Sequence, residues 1–102
     1  MPDQNPIPNN PPVVRRVIRY RGEVQGIGFR ANAIHQGRGL TITGFVRNEP
    51  NGDVTMDVQG SPQDVQELAK RVGQTMSAKI SETLIDQCEP IPNRDRFRIT
   101  TN

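Results

Sequence analysis

The sequence predicts an α+β domain whose elements alternate as β-α-β-β-α-β, with a short fifth strand at the end. Three observations carry this. Apolar residues recur at every second position in three separate stretches. A fourth stretch, from Val65 to Met76, places them at helical spacing instead. Between the second and third alternating stretches stands Glu49-Pro50-Asn51-Gly52-Asp53, the sharpest turn signal in the chain. A strand–helix–strand unit joined by a hairpin to a second such unit is the ferredoxin-like arrangement. It has a four- to five-stranded antiparallel sheet with two helices on one face.

The elements follow in order. Residues 1–12, with five prolines and almost nothing to bury, read as a disordered tail, and residues 13–102 as the folded domain. From Val14 the pattern takes period two: Ile18, Tyr20 and Val24 share one face, and Arg15, Val17, Arg19, Arg21 and Glu23 the other. Arg16 interrupts the apolar face near the start, where the strand is expected to be emerging. A helix is predicted from Phe29 to about Arg38, with Ala33 and Ile34 in the core and Gly37 and Gly39 ending it early. Leu40, Ile42, Gly44 and Val46 then point inward, with Thr41, Thr43, Phe45 and Arg47 outward. After the Asn51-Gly52 turn, Val54, Met56 and Val58 point inward and Thr55, Asp57 and Gln59 outward. Ser61 caps a second helix with Pro62 at its first position, and Val65, Leu68, Ala69, Val72 and Met76 form its buried stripe. The segment "KISETLIDQC" reads as a strand, "EPIPNRD" as a loop and "RFRIT" as a closing strand with Phe97 and Ile99 inward.

Composition narrows the function classes. The formal net charge is only +2, too small for a protein built for non-specific nucleic-acid binding. Its basic residues are eleven arginines against two lysines. A guanidinium fork matches phosphate and carboxylate geometry in a way an ammonium does not. The single cysteine, Cys88, excludes an internal disulfide and a multi-cysteine zinc site. There is no apolar run of membrane-spanning length and no signal-peptide pattern, so a cytoplasmic location is expected.

The stretch that bears on chemistry is "RGEVQGIGFRAN", Arg21 to Asn32. Its "GIGFRA" satisfies a dinucleotide fingerprint. The chain is too short for a doubly wound domain, however, and Glu49, twenty residues on, falls in a hairpin turn. An RNA platform is a second option, but the sheet offers only Phe45 as an outward aromatic. A small-anion cradle fits best. A strand running into Gly22, a turn through Gln25-Gly26-Ile27-Gly28 and a helix from Phe29 aim successive amides, and the positive end of the helix, at one point. Arg30 lies in the first helical turn, where a cation opposes the helix dipole. It makes sense there if it shares an anion with those amides. Asn48 follows eighteen residues later, beside the hairpin, where an asparagine is also a common turn residue.

Both motifs resemble the acylphosphatase signatures: "GEVQGIGFR" the first, and "TGFVRNEPNGDV" the second. The resemblance implies hydrolysis of acyl phosphates, such as acetyl phosphate or an acylated phosphoglycerate, to a carboxylate and inorganic phosphate. It implies no cofactor, no metal and no covalent intermediate. The partner would be the small-molecule substrate alone, with no nucleic acid or membrane, and the protein a monomer. It further implies that Arg30 is catalytic and binds the phosphoryl group with the loop Gln25, Gly26, Ile27, Gly28 and Phe29, and that Asn48 is catalytic and positions the attacking water. His35, five residues after Arg30, faces elsewhere on a helix. Cys88, Tyr20 and Phe45 read as structural. Departures from the family pattern are modest: Ile27 for valine, Phe45 for tryptophan, Asn51 for aspartate. Asn32 and Gly37 stand where apolar residues or alanine are usual, which predicts a looser or shorter first helix. A non-catalytic module of the same fold, binding phosphate or a carbamoyl-phosphate-like ligand, is the alternative. Hydrogenase maturation proteins carry a related domain.

Overall fold

Ile18 and Tyr20 point to one side of the first strand and are fully buried, as their period-two spacing requires, and Val24, just beyond the strand, is buried with them. The computed structural model describes residues 12–101. The tail expected over residues 1–12 falls, apart from Pro12, outside the described residues. The elements are β1 (Val14–Gly22), α1 (Phe29–Gln36), β2 (Ile42–Asn48), β3 (Val54–Gly60), α2 (Pro62–Thr75), β4 (Ile80–Cys88) and β5 (Phe97–Ile99). They form one five-stranded sheet in the order β4-β1-β3-β2-β5. The fold is the ferredoxin-like α+β arrangement.

The core lies between the inner face of the sheet and the two helices. Ile18, Tyr20, Val46, Met56 and Val58 from the strands meet Phe29 and Ala33 of α1 and Val65, Leu68 and Val72 of α2. α2 begins as its sequence requires: the Ser61 hydroxyl accepts the Asp64 amide at 3.1 Å, and Pro62 occupies the first turn. α1 is short, and Gly37 caps its end. It is held by polar contacts from α2. Arg71 Nη1 donates to the Gln36 carbonyl at 2.8 Å, satisfying one of the acceptors left open at a helix end. The Asn32 side-chain amide donates to Thr75 Oγ1 at 2.8 Å. Asn32, which departs from the family's apolar preference, thus ties α1 to α2.

In the hairpin, Gly52 takes the positive φ (98°) and its amide donates to the Glu49 carbonyl; Asn51, also suited to that conformation, does not adopt it. Four further expectations are corrected. First, β5 pairs with β2 in parallel, so only the other four strands form an antiparallel set. The chain leaves β4 at one edge of the sheet and crosses to the far edge before β5 begins. Second, Thr55 and Asp57 are buried instead of facing solvent, and Asp57 lies beneath that crossing. Gln59 exchanges hydrogen bonds with the Ile91 backbone, at 2.9 and 2.8 Å, and Asp57 is clamped by Arg15 (2.8 Å) and Arg94 (2.7 Å). Third, the strand has already begun at Val14, so Arg16 sits within it. Its Nε is buried with no partner among the described residues, which nothing in the structure explains. Fourth, Ile99 has inner-face parity, yet it is 42% exposed.

The clamp has a pH consequence. Burial alone would raise the Asp57 pKa, but the hydrogen bonds and charges of Arg15 and Arg94 outweigh it and hold the carboxyl below its ordinary value. A group depressed in this way contributes stability above its unfolded pKa of about 3.9, and that contribution is lost as the pH falls through the folded value. Asp57→Asn is expected to lower the unfolding free energy at neutral pH by about 2–3 kcal/mol. That is somewhat less than for a fully buried pair, because both guanidiniums keep some contact with water. In denaturant titrations the gap between wild type and variant should narrow as the pH drops below about 4. A gap independent of pH would show that the carboxylate charge is not what stabilises this face.

Candidate active site

Between β1 and α1 the chain makes a short loop whose backbone only glycine adopts readily. Gly26 (φ 77°) and Gly28 (φ 80°) both lie in the left-handed region, where a Cβ is strained. Gly28 is the N-cap of α1 and brings no side chain to the first-turn amides, and no acid stands in that turn. A helix start normally recruits a Ser, Asp or Asn for those donors. Here they and the positive end of the helix dipole remain available to an anion.

Gln25 fixes this loop against the β2–β3 hairpin. Its side-chain amide donates to the carbonyls of Glu49 (2.7 Å) and Asp53 (2.9 Å), the same two residues that close the hairpin with the Glu49 amide on the Asp53 carbonyl at 2.8 Å. The cradle and the end of β2 are thereby one mechanical unit. Phe29, at the start of α1, is buried against Tyr20, with ring centroids 4.9 Å apart. Burial also pushes the Tyr20 hydroxyl well above its ordinary pKa, so this ring pair is uncharged packing.

Arg30 and Asn48 converge on a cavity of about 180 Å³, lined by Val24, Gly26, Gly28, Phe29, Arg30, Ala31, Asn48 and Ile99. Asn48, the last residue of β2, pairs with Val54 in the sheet. Arg30 makes no hydrogen bond or ion pair within the protein among the described residues. Of the expected loop residues, Gly26, Gly28 and Phe29 line the cavity. Gln25 braces it from behind, and Ile27 stands 40% exposed on the loop without lining it. His35 is exposed further along α1, and Cys88 is half-buried in β4; neither lines the cavity.

Sequence reasoning missed Ile99 as a site residue. Its signal was the parity it shares with Val46, its partner in the parallel register, and that register is visible only once β5 is placed beside β2. A larger concavity of about 390 Å³ lies on the outer face of the sheet, lined by Arg19, Arg47, Glu49, Asp53 and Thr55 among others. Its acids are already engaged. Asp53 is paired with Arg21 at 3.4 Å, and Glu49 with Arg47 at 3.0 Å. The Thr55 hydroxyl, with Arg47, holds Glu49 below its ordinary pKa against the opposing effect of burial. The smaller cavity sets the Arg30 guanidinium beside uncapped helix amides, with no carboxylate among the described residues of its lining, and is the better anion site.

Known proteins resemble this chain in both sequence and fold. The acylphosphatase family model matches residues 16–99. Acylphosphatase 1 of Ralstonia nicotianae is 36% identical over 87 residues, covering 83% of this chain and 85% of that protein. Carbamoyltransferase HypF2 of Cupriavidus necator is 37% identical over 94 residues, 90% of this chain but only 12% of that protein. Among solved structures, an acylphosphatase from Bacillus subtilis shares the fold with a TM-score of 0.76 at 22% identity, over 85% of this chain and 98% of the other.

Proposed function

The chain belongs to the acylphosphatase family and is an enzyme of that class, and on that premise we propose how its residues divide the hydrolysis of an acyl phosphate. The observation that carries the proposal is the convergence of Arg30, Asn48 and the Gly26–Gly28 backbone on one cavity. Arg30 and the amides from Gln25 to Arg30 bind the phosphoryl oxygens, Arg30 through two parallel N–H bonds. The substrate thus takes the place of the capping side chain that Gly28 does not supply.

Asn48 holds a water beside the phosphorus. The water oxygen forms a bond to phosphorus as the bond to the acyl oxygen breaks, and the carboxylate leaves with the electron pair. A carboxylate is a stable leaving group and needs little protonation, so positioning and charge stabilisation account for most of the catalysis. An amide is too weak a base to take the water's proton. That proton goes to a phosphoryl oxygen and leaves with the inorganic phosphate.

The competing reading is a binding module without turnover, favoured by the match to a small part of a carbamoyltransferase. Phosphate release from acetyl phosphate separates the two. The purified protein is expected to release phosphate catalytically, at a rate that EDTA does not change. Stoichiometric binding of phosphate with no release above the spontaneous rate would favour the module.

A further inference from the structure

We infer that Ile99 is the contact for the acyl group and that the enzyme favours acyl phosphates with an aliphatic acyl chain. The inference rests on the acyl phosphate reading of the cavity. Ile99 ends β5 with the same parity as Phe97 and pairs with Val46, whose side chain is fully buried. An isoleucine in that register belongs in the core. It is instead 42% exposed and lines the cavity that holds Arg30 and Asn48.

Its place is set by the backbone. The Gly44 amide donates to the Arg96 carbonyl at 2.9 Å, and the Thr100 amide to the Val46 carbonyl at 3.0 Å, bracketing the three-residue strand. A side chain held this way presents a fixed wall.

The rest of the lining sorts by chemistry. Arg30 and the Gly26 and Gly28 backbone form a cationic, amide-rich side, and Asn48 supplies the neutral polar group. Val24, Phe29, Ala31 and Ile99 are apolar. Among the described residues, Arg30 is the only charged one in the lining, and no carboxylate joins it. Once Arg30 and the loop amides engage the phosphoryl group, an acyl substituent leaving the cavity has an aliphatic surface beside it. Among the described residues, no second cation lines the cavity to receive another anionic group. Ile85, by contrast, is 54% exposed on the edge strand β4 and is absent from this lining. Exposure alone does not distinguish Ile99, since single exposed apolar side chains are common. Its position on the catalytic cavity does.

The test compares kcat/KM for acetyl and butyryl phosphate, whose carboxylate leaving groups are of nearly equal acidity. Each methylene fully withdrawn from water favours binding by about fourfold, so two against a half-open wall should give butyryl phosphate an advantage of about fivefold. Ile99→Ser should reduce that advantage to within about twofold. Ile99→Val, which preserves the β-branched strand residue, should shift the ratio in the same direction by less and covers the case in which serine perturbs folding. Ile85→Ser should leave the ratio unchanged. If Ile99→Ser or Ile99→Val keeps the wild-type ratio while acetyl phosphate is still hydrolysed, this inference falls and the acyl phosphate reading stands. If the wild type hydrolyses neither substrate, both fall together.

Discussion

Arg30→Ala is expected to lower kcat/KM for an acyl phosphate by at least ~10²–10³-fold and to weaken inhibition by inorganic phosphate. Removing one preorganised donor to a developing charge typically costs that much. Here the loss is compounded because Arg30 is the only cation lining the cavity among the described residues. The fold should be indifferent to the change. Arg30 makes no hydrogen bond or ion pair within the protein among the described residues, and a substitution at such a position usually alters stability by no more than about 0.5 kcal/mol. Arg30→Lys keeps the charge but loses the bidentate fork, so it should recover only part of the rate. Kinetics paired with denaturant unfolding check this. A purely solvated surface arginine would leave both the rate and phosphate inhibition within about twofold.

The second large effect is expected at Asn48, and it differs in kind. Asn48→Ala should lower kcat by about 10²-fold, in the range seen for lost positioning or polar donor groups, with phosphate inhibition nearly unchanged. The phosphoryl group is held by Arg30 and the amides, whereas Asn48 acts on the water. Asn48→Asp sharpens the distinction. It adds a negative charge beside the phosphoryl site, so it should weaken phosphate inhibition as well as the rate. Near-normal turnover in Asn48→Ala would remove the water-positioning role and leave Asn48 as the hairpin residue its position beside the turn also permits.

Much of this was legible because it is local. The alternation of Ile18, Tyr20 and Val24, the Ser61-Pro62 helix start and the Gly52 turn each depend on residues close in the chain. The cradle was legible for the same reason: its glycines and Arg30 are neighbours in sequence. What escaped is set at long range. Asp57 was expected to face solvent because period two places it opposite Met56. It is buried because Arg15 and Arg94, far from it in sequence, close over it. The sequence marked Asn32 and Gly37 as weaknesses in α1 but could not reveal that Arg71 and Thr75 of α2 hold that helix. Gln25 was expected as a member of the phosphate-binding loop. Its side chain makes two hydrogen bonds that join the loop to the hairpin that follows Asn48. For Ile99 the alternation gave the correct side of the strand, while the exposure depends on where β5 docks.

The central claim is that the cavity holds the phosphoryl group and directs water at phosphorus. Turnover of acetyl phosphate in water labelled with heavy oxygen tests it most directly, with the spontaneous reaction subtracted. Attack at phosphorus predicts one labelled oxygen in each inorganic phosphate released and none in the acetate. Label in the acetate would place the attack at the carbonyl carbon, and the roles assigned to Arg30, the loop amides and Asn48 would then be wrong.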